Sequence, residues 1–251
     1  MIGATTVRHH AGFKFNSPNK SLARWQSGYA AACKAVYVGS IPSRASNFPV
    51  NPTITPTISS FEALTKRKQV TAKDSVLAGP DGPIQFKIVN LLENYPNALD
   101  RNCRPGHLTG SSLIIRPEDS KILVLFHVKL KRWLQPGGHA DRDGDMARVA
   151  LREAIEETGI TQLNIVEPPI DLDIHIVDPP YEDAHEHHDV RYLVLAPEGS
   201  CPRGNYESTG FQWLDPSEIQ QIDPDDGFIR LVERGLTMYS MLELFDSRSR
   251  S

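Results

Sequence analysis

The sequence predicts an α/β fold, a mixed β-sheet held between helices in an α/β/α sandwich, preceded by a helical segment and a long, disordered leader. Three observations carry this expectation. Runs rich in branched apolar residues recur from about residue 110 onward, as strands require. A single amphipathic helical pattern, from near Gly144 or Asp145 to Gly159, interrupts them, and helical patterns also open and close the acid-containing part of the chain. The first 61 residues hold no Asp or Glu, whereas the whole chain holds 31 acids in 251 residues, which is a sharp break in composition.

The acid-free stretch 1–61 carries Arg, Lys, Ser, Ala, Asn and several prolines. It reads either as an organellar transit peptide or as a disordered extension punctuated by Pro42, Pro49 and Pro56. The first reading implies a mitochondrion or plastid, the second the cytoplasm. Residues 62–246 are expected to form one domain and 247–251 a short tail. Ile84, Ile88, Leu91 and Leu92 recur at i, i+4, i+7 and i+8, so a helix is expected there. Ser111 to Arg116 and Lys121 to Val128 flank Pro117-Glu118-Asp119-Ser120 and read as a hairpin. Ile170 to Val177 and Asp189 to Ala196 read as further strands, with His185, His187 and His188 just ahead of the second. Asp215-Pro216 has the chemistry of a helix start, and a last helix is expected over about 226–245.

A net charge of −4 and a charged fraction of 23% argue against a polybasic nucleic-acid binder. Apolar runs such as Ile122 to Phe126 fall far below the roughly 20 residues of a membrane span. Cys33, Cys103 and Cys201 form no CxxC pair, so neither a zinc ribbon nor a disulfide framework is expected. An anionic substrate must then be met by local charge or by metal.

The local chemistry lies between Gly137 and Ile160, GGHADRDGDMARVALREAIEETGI. A glycine pair ends a strand, an acidic loop follows, and a helix runs from near Gly144 or Asp145 to Gly159, a C-terminal cap. At about 100° per residue, Ala147, Ala150, Leu151, Ala154, Ile155 and Thr158 form the buried stripe. Glu153, Glu156 and Glu157 gather on the other side, where their repulsion would be relieved by a hard divalent cation, Mg²⁺ or Mn²⁺. Arg152 can pair with Glu156 at i+4 and orient it. On its own such a face is also what a solvated acidic helix looks like.

The whole pattern resembles the Nudix box: Gly138, Arg152-Glu153, Glu156-Glu157, Gly159 and Ile160 stand in register over the full stretch without a gap. Two positions depart, Gly144 where the box has its first Glu, and Ala154 at an aliphatic position. The flanks PGHLTGS, KRWLQPGGHAD and AHEHHDVRY are similar to a bacterial Nudix group with a box of the GGHAD type. The resemblance implies metal binding by Glu153, Glu156 and Glu157, helped by a carbonyl at Gly137. It implies catalytic roles for Glu153 or Glu157 as base and for Arg152 as their orienting partner. The implied activity is metal-dependent hydrolysis of a diphosphate linkage in a nucleoside diphosphate-X, with a small nucleotide derivative as substrate and a homodimer left open. Gly144 motivates the alternative of an inactive, ligand-binding Nudix fold, although Asp143 or Asp145 could supply the missing charge. His139, His185 and His187 are candidate contacts to the metal face or to phosphate oxygens, although their spacing does not establish a zinc site; Arg191 could clamp a phosphate, stack a base or form a structural ion pair, and His107 and His175 are weaker candidates.

Overall fold

The computed structural model describes residues 55–128, 130–178, 182–204 and 208–249. The transit-peptide and disorder expectations for 1–54 lie outside the described residues. The chain enters through β1 (Thr57–Ser60), α1 (Phe61–Lys66), α2 (Ala72–Ala78) and α3 (Pro83–Asn94), which contains the predicted helix. β2 (Gly106–Arg116), β3 (Lys121–His127), β4 (Arg132–Leu134) and β5 (Gly137–His139) follow, then α4 (Met146–Thr158). β6 (Asn164–Val177), β7 (His185–Leu195), β8 (Ser208–Leu214), a short 3₁₀ turn (Pro216–Ile222) and α5 (Asp226–Ser249) complete it.

The strands form one eight-stranded sheet in the order β1-β6-β7-β2-β3-β4, with β5 also pairing with β2 and β8 with β3. β2 and β7 run parallel and all other pairs antiparallel, so the sheet is mixed. Residues 57–60, which composition groups with the leader, pair with β6 from Thr57↔Glu167 to Ser60↔Asn164. A strand needs partners more than acids, and this one is invisible to composition. At the other end α5 extends through 247–249, beyond the expected tail boundary.

Alternation along the strands builds two cores. Leu108, Ile114, Val190, Tyr192 and Val194 pack with Ala147, Ala150, Leu151 and Ala154 of α4 on one face. Leu113, Ile115, Ile122, Val124 and Leu193 pack with Phe228, Leu231 and Val232 of α5 on the other. Each fully buried aliphatic side chain contributes on the order of 1.5–3 kcal/mol, so losing either helix layer would expose a whole sheet face. The expected α/β/α sandwich is therefore the observed architecture.

The N-terminal helices are tied to this body. Arg67 donates to both oxygens of Asp145 and also to Glu167 at 2.7 and 2.9 Å, joining the α1–α2 connection to the start of α4 and to β6. Asp145 is the N-cap of α4 and accepts from the Arg148 amide. Gly159 ends the helix at φ +67°, in the left-handed region, with its amide bonded to the Ile155 carbonyl at 2.8 Å. Ser112 Oγ donates to the Ala150 carbonyl and fixes α4 along β2.

Candidate functional site

The strand, loop and helix β5–α4 bring Arg152, Glu153, Glu156, Glu157 and Gly137 together, but not as one evenly exposed patch. Glu157 is 7% exposed and accepts a hydrogen bond from the Gly137 amide at 3.0 Å. The Glu153 side chain is 14% exposed and that of Glu156 is 57% exposed. A Cβ built on Gly138 would stand 2.4 Å from the Glu153 carboxylate carbon, so only glycine lets that carboxylate settle against β5. Burial raises the affinity of the Glu153 carboxyl for its proton; Arg152 opposes this and the charge of Glu156 adds to it. Arg152 meets Glu153 at 2.6 Å and Glu156 at 3.6 Å, and donates to the His139 carbonyl at 2.9 Å. The expected pairing with Glu156 is thus the longer of its two ion pairs, and its hold on β5 is one that helical spacing cannot reveal.

Three carboxylates at graded depth, next to a glycine strand with room for nothing larger than a hydrogen, form a donor set of hard oxygens. These residues fit a divalent cation of the magnesium type. The charge missing at Gly144 is not made up by its neighbours. Asp143 accepts from Arg148, and the buried Asp145 is taken by the helix amide and Arg67. A Cβ at Gly144 would instead meet the backbone of Val70, Thr71 and Ala72 at 3.5–3.7 Å, so the N-terminal segment covers that corner.

The candidate substrate contacts divide. Arg191 is corrected: it is 4% exposed and donates to Asp189 (2.7 Å), Asp173 (2.9 Å), Asp171 (3.4 Å) and the Gly227 carbonyl (3.1 Å). Buried and held by these four hydrogen bonds, it is a structural group and not an accessible phosphate clamp. His185 and His187 lie within β7, not ahead of it, and point to the face that carries α5. There β2 and β6 set His107 and His175 directly beside His187 in register, and β5 adds His139. The rings of His107 and His185, and of His107 and His187, are 4.9 Å apart between centroids; those of His107 and His139 are 5.1 Å apart. His107 and His175 matter more than their isolated positions in sequence suggest. Parallel pairing of β2 with β7 gathers them, and no local pattern signals it.

A mixed sheet between helix layers, carrying three carboxylates on a helix behind a glycine-ended strand, defines an α/β/α sandwich with a strand–loop–helix candidate site. The NUDIX domain family model matches residues 106–232, just over half of the chain, and the chain belongs to the Nudix family. A "Probable DHNTP pyrophosphohydrolase" of Lactococcus lactis subsp. cremoris is 30% identical over 114 residues. That match covers 43% of this chain and 66% of the relative, slightly under two thirds of its length. Among solved structures, an Ap4A hydrolase of C. elegans in a binary complex is similar at 19% identity and a TM-score of 0.45, covering 53% of this chain and 97% of that one. A NUDIX-family hydrolase from Clostridium perfringens gives 21% identity with the same coverages and TM-score. At these scores the two structures add no argument to the family match.

Proposed function

We propose that this protein is a divalent-metal-dependent pyrophosphohydrolase that cleaves a diphosphate linkage in a nucleoside diphosphate-X or a related small phosphoanhydride. The observation that carries the reading is the seating of Glu153 against Gly138 together with the Glu157–Gly137 hydrogen bond. Glu153, Glu156, Glu157 and the Gly137 carbonyl would hold Mg²⁺ or Mn²⁺. The bound ion would neutralise phosphate oxygens and acidify a water. Arg152 keeps Glu153 and Glu156 oriented while anchoring β5 through the His139 carbonyl. Glu153 or Glu157 serves as the base that accepts the proton of the attacking water. The name of the Lactococcus relative supports a pteridine triphosphate as one substrate to try, beside nucleotide derivatives.

The test is a release assay for phosphate, pyrophosphate and monophosphate with Mg²⁺ or Mn²⁺. Its panel holds nucleoside diphosphate sugars, dinucleoside polyphosphates, ADP-ribose and dihydroneopterin triphosphate. Turnover of at least one compound is expected, reduced by about 100-fold or more in Glu157→Gln, since a metal ligand supplies several kcal/mol of charge stabilisation. Binding without turnover across the panel would make the chain an inactive Nudix binding module, and undiminished turnover in the variant would refute the assignment of Glu157.

A further inference from the structure

The histidine cluster is built like a ligand site and not like a packed core. His107 is 1% exposed, and neither of its ring nitrogens has a hydrogen-bond partner. The Cys103 carbonyl exerts only a weak pull on His107, short of hydrogen-bond geometry. Nε2 of His187 is likewise buried and bare. A buried polar atom without a partner costs on the order of 1–3 kcal/mol, and several together are seldom kept without a ligand. His185 is oriented for one: its Nδ1 lies 2.7 Å from the Asp183 carbonyl, which can only accept, so Nδ1 carries the hydrogen and Nε2 keeps the lone pair. One ring nitrogen from each of His107, His185 and His187 lies within 4.8 Å of the other two. Nitrogens around a tetrahedral ion at 2.0–2.1 Å stand roughly 3.4 Å apart, a contraction that rotation of the rings can supply.

We propose that His107, His185 and His187 bind a divalent transition-metal ion of the zinc class, with His139 or a water in the fourth position. The ligand chemistry separates this site from the carboxylate one. Imidazole nitrogens suit Zn²⁺, Cu²⁺, Ni²⁺ or Fe²⁺, whereas Mg²⁺ requires oxygens. The two sites also stand on opposite faces of β5. Gly138 backs Glu153 on the α4 face, and the next residue, His139, turns its ring to the histidine face. Burial is the main reason the imidazoles of His107 and His187 are pushed down, to about 4 and about 2, with neighbouring histidines adding to it. A ligand histidine must be neutral, the form that burial favours.

The experiment uses the full chain without a polyhistidine tag, stripped with a chelator and reloaded with Zn²⁺ or Co²⁺. Expected are one tightly held equivalent after gel filtration, ligand-field bands of nitrogen-bound Co²⁺ that Zn²⁺ abolishes, and an X-ray absorption spectrum of the zinc form with three or four imidazole ligands. His107→Gln and His187→Gln, made separately, should each weaken binding by about 100-fold or more, beyond the roughly 10–100-fold that outer-sphere changes bring. Glu157→Gln should retain the ion. The proposal fails if the native chain holds no ion and shows no such bands, if the absorption spectrum shows only oxygen ligands, or if the ion is lost in Glu157→Gln and kept in the histidine variants. The native-chain spectra decide the matter even if a histidine variant does not fold.

Discussion

Two adjacent regions of one sheet face hold polar groups and satisfy them differently. In the row Asp173–Asp189–Thr109 with its neighbour Asp171–Arg191–Ser111, every group has a partner. Thr109 and Ser111 donate to Asp189 at 2.9 Å, Arg191 reaches three aspartates, and Arg230 and Arg234 come down from α5 to Asp171. One residue pair further along the same strands, the row His175–His187–His107 leaves His107 and His187 with bare nitrogens. Secondary structure and strand register are shared, so the difference lies in the side chains alone. A saturated network needs nothing from outside and serves to join the sheet to α5. An unsaturated one carries the cost of its bare nitrogens until a ligand meets them.

The sharpest way to break this contrast is Asp189→Ala. It strips Arg191, Thr109 and Ser111 of their common partner and should cost about 3–5 kcal/mol, since a buried ion pair broken on one side leaves an uncompensated charge. Urea unfolding measures this, and a loss below about 1 kcal/mol would mean that the row is not the saturated network described.

Acid provides the next test. Burial alone would raise the Asp173 carboxyl, but His175, Arg191 and Arg230 outweigh it and hold Asp173 below the usual carboxylate range. A carboxyl depressed in the folded state contributes stability that is complete above its unfolded value of about 4 and is lost as the pH falls below it. The stability gap between the native chain and Asp173→Asn should therefore be widest near neutrality and shrink below about pH 4. A gap that stays constant down to pH 3 would contradict the depressed carboxyl.

The smallest effect is expected in the histidine row. In chelator-treated protein, His107→Leu exchanges an unpartnered polar ring for an apolar side chain and should stay within about 1 kcal/mol of the native chain. A loss as large as that of Asp189→Ala would show that the two rows are bonded alike.

The stretch Gly137 to Ile160 determined by itself the strand–loop–helix unit, the side of α4 on which the glutamates gather, and the cap at Gly159. Those features follow from neighbours within one or two helical turns, where the 3.6-residue period and capping chemistry govern. Apolar runs likewise announced β3 and parts of β2, β6 and β7, because branched residues and alternation mark strands locally. Partners distant in the chain were decided only by tertiary structure. β1 is a strand because β6 offers it an edge, Arg191 is structural because three aspartates surround it, and Gly144 is tolerated where the segment 70–72 covers it. The five histidines at 107, 139, 175, 185 and 187 come from four strands whose order around β2 and β7 is a property of the folded sheet. Strand pairing sets which residues become lateral neighbours, and no single strand carries the identity of its partner.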